Sequence, residues 1–157
     1  MGSVTTDILR HRKIPLLIVP ASATFKSPQH ILFACDNPWM ENPQVLHPLK
    51  DIARLFAAEI EVYMVDEPQA IPGQPQQPRP SNLETHLGKI KHVYTFEMAE
   101  GVRERILEAI KENKSDMLAM IPHHHSVWAY LFDHSDTLSI ALQTTVPMLV
   151  LAEKSTT

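Results

Sequence analysis

Short apolar runs separated by stretches of helical period constrain this chain more than anything else in it. Ile31-Leu32-Phe33-Ala34-Cys35 is almost wholly apolar and stops at Asp36-Asn37-Pro38. That is a strand covered on both faces, ended by turn chemistry. Asn42-Pro43 opens a helix, a capping side chain followed by proline at the first helical position. Leu46, Leu49, Ile52, Ala53 and Phe56 then recur at helical spacing. Ile60 to Val65 reads as the second strand. Ser81 or Asn82 caps a helix carrying Leu83, Leu87 and Ile90, and His92 to Met98 is the third strand. In the next helix Val102, Ile106, Leu107 and Ile110 point inward, while Arg103, Glu104, Arg105, Glu108, Lys111 and Glu112 read as a solvated face. Asp116 to Ile121 is the fourth strand, Ser135 caps a last short helix, and Val146 to Leu151 is the fifth strand. Strict alternation predicts an α/β three-layer sandwich, a five-stranded parallel sheet with helices on both faces. Ligands of such sheets bind at the carboxyl ends of the strands, where strand order reverses. The loops after Cys35, Val65 and Ile121 are therefore the places for a site.

The first twenty residues look like a second copy of the last twenty. With Gly2 set over His134, an offset of 132 residues, Ser3 meets Ser135, Thr5 meets Thr137, Ile8 meets Ile140, Pro15 meets Pro147 and Leu17 meets Leu149. Both copies run from a short helical pattern through a proline into an apolar strand, Leu16 to Val19 in one and Met148 to Leu151 in the other. An offset of one domain length makes the opening the tail of a preceding domain of the same kind.

The net charge of −4, with no basic run, argues against nucleic acid or an anionic membrane surface as the main partner. No apolar stretch is long enough to cross a bilayer, and no signal peptide follows Met1. A single cysteine, Cys35, forbids an internal disulfide framework and sets a cytoplasmic location as the expectation. Pro68 to Pro80 packs five prolines and four glutamines around Gly73 and reads as an extended surface loop. A docking strip for a polyproline-binding partner is its alternative use.

Three strings resemble the universal stress protein family. Gly2-Ser3-Val4-Thr5-Thr6-Asp7-Ile8-Leu9-Arg10-His11, running into Ile14 to Pro20, looks like the closing segment of such a domain. The first strand followed by Asp36 is similar to the family's opening, where an aspartate faces adenine, and Ser115 to Met120 is similar to its fourth strand. The resemblance implies a Rossmann-like fold, a role in stress adaptation, and homodimer or tandem-domain pairing through the last strand. It divides the chain into a tail of a preceding domain over 1–20, a connector over 21–29, a domain over 30–152 interrupted by the loop at 68–80, and a short end at 153–157. The N-terminal helix and strand are then expected to pack so that the strand lies antiparallel to the last one, covering an edge that would otherwise be open.

ATP-binding members carry three glycines after the fourth strand, which let backbone N–H groups approach phosphate. Aligned on Asp116 and Pro147, those positions hold Ile121, His124 and His134, and only the following serine, Ser135, matches. A β-branched residue resists positive φ, and bulky side chains block close backbone approach. The family's usual ATP binding is therefore expected to be lost, with no cofactor. Asp36, Val65, His123, His124, His125, Ser126 and Ser135 are the residues that would hold ATP or another adenine nucleotide in a noncanonical pocket. Turn chemistry and helix capping explain Asp36 and Ser135 equally well. Nine histidines are many for 157 residues, but consecutive histidines diverge and lack metal-ligand spacing, so no metal is expected. The Trp128, Tyr130, Leu131 and Phe132 run is an anchor for that loop. The chain is thus expected to be a non-enzymatic pairing domain. A nucleotide switch is the first alternative. A slow nucleotide hydrolase, which would need a nucleophile with a positioned base, comes last.

Overall fold

The computed structural model describes residues 14–24, 26–36, 38–66, 81–121 and 143–152. The expected short helix before Leu16, the Pro/Gln loop, the histidine loop and the expected helix after Ser135, apart from Gln143, lie outside them. Six strands form one sheet: β1 (Leu16–Ile18), β2 (His30–Ala34), β3 (Glu59–Asp66), β4 (His92–Met98), β5 (Met117–Met120) and β6 (Met148–Val150), in the order β1-β6-β5-β2-β3-β4. β2 to β6 are parallel, as expected from the alternation, and β1 lies antiparallel to β6.

Helices cover both faces. α1 (His47–Phe56) and α2 (Leu83–Leu87) pack on one face, where Leu49, Ala53, Leu83 and Leu87 meet Ile31, Phe33, Val62 and Leu149. α3 (Val102–Glu112) lies on the other, its Val102, Ile106, Ala109 and Ile110 against Leu32, Ala34, Tyr63 and Met120. The chain therefore passes from β2 out through β3 and β4, then returns across the opposite face to β5. That return puts the topological switch between β2 and β5.

Local chemistry explains most of the boundaries. Asn42 Oδ1 accepts the Gln44 N–H at 3.1 Å and Pro43 starts a 3₁₀ turn over Pro43–Leu46, which leads into α1. α1 ends at Ala57 in a left-handed conformation (φ 52°), with the Ala58 N–H returning to the Ala53 carbonyl at 2.8 Å. One expectation needs correction. The second helix ends after five residues, because Gly88 takes φ 57° and turns Ile90 into a loop residue packed on the core. Of the two residues expected to cap it, Ser81 does so, its Oγ accepting the Leu83 N–H, while Asn82 makes no cap with its side chain.

The outer face of α3 is also less solvated than its pattern suggests. Arg105 is mostly buried, donating to Glu97 on β4 through both Nε and Nη2, and to Glu108 and Glu112 on its own helix. These ion pairs fasten α3 to the rim of the sheet. Cys35 is a buried core residue, as its apolar run implies. Among the described residues no helix is long and apolar enough to cross a membrane.

Candidate functional site

The switch crevice lies between the carboxyl ends of β2 and β5, and the sequence places Asp36 beyond one and Ile121 beyond the other. Asp36 follows Cys35 in a bend; it is half-buried, and its Oδ1 is withdrawn from solvent. Asn82 holds the loop that carries it. The Asn82 amide accepts the Met40 N–H at 2.8 Å and donates to the Met40 carbonyl at 2.9 Å. A further hydrogen bond from the Ser81 hydroxyl reaches the Pro38 carbonyl at 3.3 Å. Residues 42 positions apart thus fix the rim of the crevice, and neither composition nor period signals it.

Ile121 is 3% exposed and sits in the same apolar cluster as Cys35 and Leu151. A side chain there occupies core volume that a glycine would leave open. Val65 is placed one strand away, with its side chain in the cluster beneath α3, beside Ala34 and Val102. Of the seven expected nucleotide-site residues, Asp36 and Val65 are therefore both near carboxyl strand ends. His123, His124, His125, Ser126 and Ser135 lie outside the described residues. Among the described residues no group of three His, Cys, Asp or Glu side chains is placed to hold a metal ion.

The amino end of the crevice strands is tied by a second device absent from the sequence reading. Asp116, just before β5, accepts the N–H groups of Gln29 and His30 at 2.8 and 3.0 Å and pairs with Lys26 at 2.7 Å. Burial alone would push its carboxyl up, but Lys26 and the two backbone donors outweigh it and hold the carboxyl below its usual range. Asp116 so locks the connector to the entry of β2 and sets β2 in register with β5.

A cavity of about 220 Å³ borders the mouth, lined by Pro15, Asn42, Gln44, Val45, His47, Pro48 and Ala152. That volume falls short of the roughly 300–1,000 Å³ of pockets that enclose a drug-sized ligand. Pro15 belongs to the repeated tail, so the tail contributes a wall to the mouth of the sheet.

A universal stress protein from Archaeoglobus fulgidus DSM 4304 superposes with a TM-score of 0.64 over 99% of this chain, at 16% identity. The fold is that of the universal stress proteins. This chain spans 55% of that protein's length. A universal stress protein solved in complex with cAMP matches 80% of the chain and 98% of its own, at 12% identity and a TM-score of 0.54. The universal stress protein from Archaeoglobus fulgidus in complex with dAMP matches 80% of the chain and 99% of its own, at 13% identity and a TM-score of 0.50. No family model matches the sequence, and no curated protein does. In the universal stress protein fold adopted here, the six-stranded order includes the tail strand β1, antiparallel to β6 as the family resemblance implied.

Proposed function

We propose that this chain is a universal stress protein-like domain that serves stress adaptation as a regulatory or structural module, by pairing with another domain of its kind, without catalysis and without the family's usual ATP binding. The observation that carries this reading is a register. Leu17 lies opposite Leu149, and 149 minus 17 equals the 132-residue offset of the sequence repeat. An antiparallel pair in which a residue faces its own counterpart is a local two-fold contact, the geometry of an isologous interface. On this reading a partner domain would lie beyond β1, with its own counterpart of β5 along the free edge.

Burial supports the same arrangement. Leu149 is 4% exposed and Leu17 is 53% exposed, so the repeat-equivalent residue lacks the cover its partner has. The comparisons fit as well. Proteins matched over 98–99% of their length leave about a fifth of this chain unmatched, whereas the one matched over 55% accounts for 99% of it. Ile121 supports the loss of ATP binding, because a buried β-branched side chain stands where the resembled family places its first glycine.

A second reading, a switch that takes an adenine nucleotide in a noncanonical pocket, is favoured by Asp36 at the switch crevice and by relatives of this fold holding cAMP and dAMP. The small molecules released when fresh protein is denatured, identified by mass spectrometry, separate the two. The expected result is no nucleotide and a Tm unmoved by ATP. Stoichiometric adenine nucleotide would reject the ATP-free reading in favour of the switch.

A further inference from the structure

We propose that β4 is a second, separate interface, through which two copies of this chain join their sheets antiparallel. β4 is the edge strand opposite β1, and among the described residues nothing pairs with its outer side. Seven residues of open strand normally carry a guard such as an outward lysine, a proline or a bulge. β4 has none. Its polar groups are all bonded within the chain: His92 and the Tyr94 hydroxyl to Glu84 at 2.8 and 3.4 Å, Thr95 to Glu61 at 2.7 Å, and Glu97 to Arg105. The side chains left outward are apolar or aromatic: Val93, Tyr94, Phe96 and Met98 are each 43–53% exposed.

Backbone geometry sets the register. Lys91 accepts the Ile60 N–H and the Ala99 N–H donates to Asp66, so odd-numbered residues of β4 turn their peptide groups toward β3. Even-numbered residues, His92, Tyr94, Phe96 and Met98, turn theirs outward. In an antiparallel two-fold pair the hydrogen-bonded positions exchange both bonds. With Thr95 on the axis, Tyr94 faces the second copy's Phe96 and His92 faces its Met98, so all four outward residues are used. A shift of two residues either way leaves one of them unpaired.

Charge selects a second copy of this chain as the occupant, and selects the antiparallel sense. The strand's amino flank carries Lys89 and its carboxyl flank Glu100, while Lys91 and Glu97 pair within the chain with Glu59 and Arg105. Antiparallel pairing lays each basic flank beside the partner's acidic one, whereas parallel pairing opposes like charges. Tyr94 against Phe96, occurring twice across the axis, supplies the aromatic cross-strand contact.

Sedimentation equilibrium on the full chain tests this, with Phe96→Lys and Leu17→Lys as variants at the two edges. Both residues are exposed, and circular dichroism confirms folding. A dimer that Phe96→Lys converts to monomer and Leu17→Lys leaves intact is the expected result. Thr95→Cys adds a readout independent of affinity. The two thiols would face each other across the axis at a non-hydrogen-bonded position, about 4.5 Å between Cα atoms, which a disulfide spans. Mild oxidation should yield a covalent dimer from Thr95→Cys and none from Val93→Cys. A monomer at every concentration would overturn the proposal. So would a dimer indifferent to Phe96→Lys, or one dissolved only by Leu17→Lys; the last of these would leave the β1 reading standing alone.

Discussion

Single side chains at strand ends decide how this domain holds its shape. Asp116 closes three contacts at once, to Gln29, His30 and Lys26. Asp116→Ala strands two backbone donors and is expected to cost about 1–3 kcal/mol, read from the urea midpoint at neutral pH. Because the carboxyl is held below its unfolded range, that contribution is complete above the unfolded pKa and fades as pH falls through the folded one. The difference between wild type and variant should therefore shrink toward zero in strong acid. A difference that stays constant with pH would refute the linkage. Tyr63 makes the opposite case. Its hydroxyl is buried beside Glu97 without a hydrogen bond of ordinary geometry, and burial pushes its pKa well up. Tyr63→Phe should leave stability unchanged or raise it by up to about 1 kcal/mol, checked in the same titration. Neither residue's contacts are legible in the sequence. Asp116 serves there as an alignment anchor at the start of a strand and Tyr63 as one more β-former, since a partner more than thirty positions away leaves no mark on local pattern.

At the scale of elements, α2 is the piece most dependent on its neighbours. Five residues cannot sustain a helix alone, so its two buried leucines and its polar ties, among them Lys50 to the His86 carbonyl and two that can be tested directly, must hold it. One tie is Asn82 to Met40. Asn82→Ala removes both bonds and should cost about 1–3 kcal/mol, with faster amide exchange at Met40 and through Leu83–Leu87. The other is Glu84 to His92, which links α2 to β4. Burial opposes the charge on His92, but the Glu84 carboxylate and the Ile90 carbonyl outweigh it and raise the imidazole above 6.5. The raised pKa means the tie is complete below the unfolded value and lost as pH rises through the folded one. An NMR titration should place the His92 midpoint above that of free histidine, and Glu84→Gln should bring it down. A midpoint indifferent to that substitution would remove Glu84 as the cause. Period and capping rules located all five parallel strands and the 3₁₀ turn that leads into α1, because those signals are local. They overextended α2, since Ile90 kept the apolar spacing after Gly88 had already turned the chain.

For the whole molecule, the tail is the decisive addition. β1 covers the edge of β6 and leaves Ile14, Leu17 and Val19 outward. Deleting residues 1–20 should expose β6 as an open apolar edge and raise light scattering on warming, relative to the full chain. Equal scattering from both would argue that β1 protects nothing. The sequence alone determined the α/β alternation and the repeat, because strand length, helical period and a duplicated segment are all written in consecutive residues. The antiparallel fit of the tail to the last strand was implied by the family resemblance. The sequence also named the loops after Cys35, Val65 and Ile121 as places for a site, and the sheet order sets the first and last of these beside the switch. The tertiary structure alone decided which face each helix covers and which strands are edges. It also decided which polar groups, among them Asp116, Asn82 and Arg105, are spent inside the fold. Those outcomes depend on contacts between segments that the sheet order brings together across dozens of residues. Burial of a polar group follows from what packs over it, and no run of neighbouring residues encodes that.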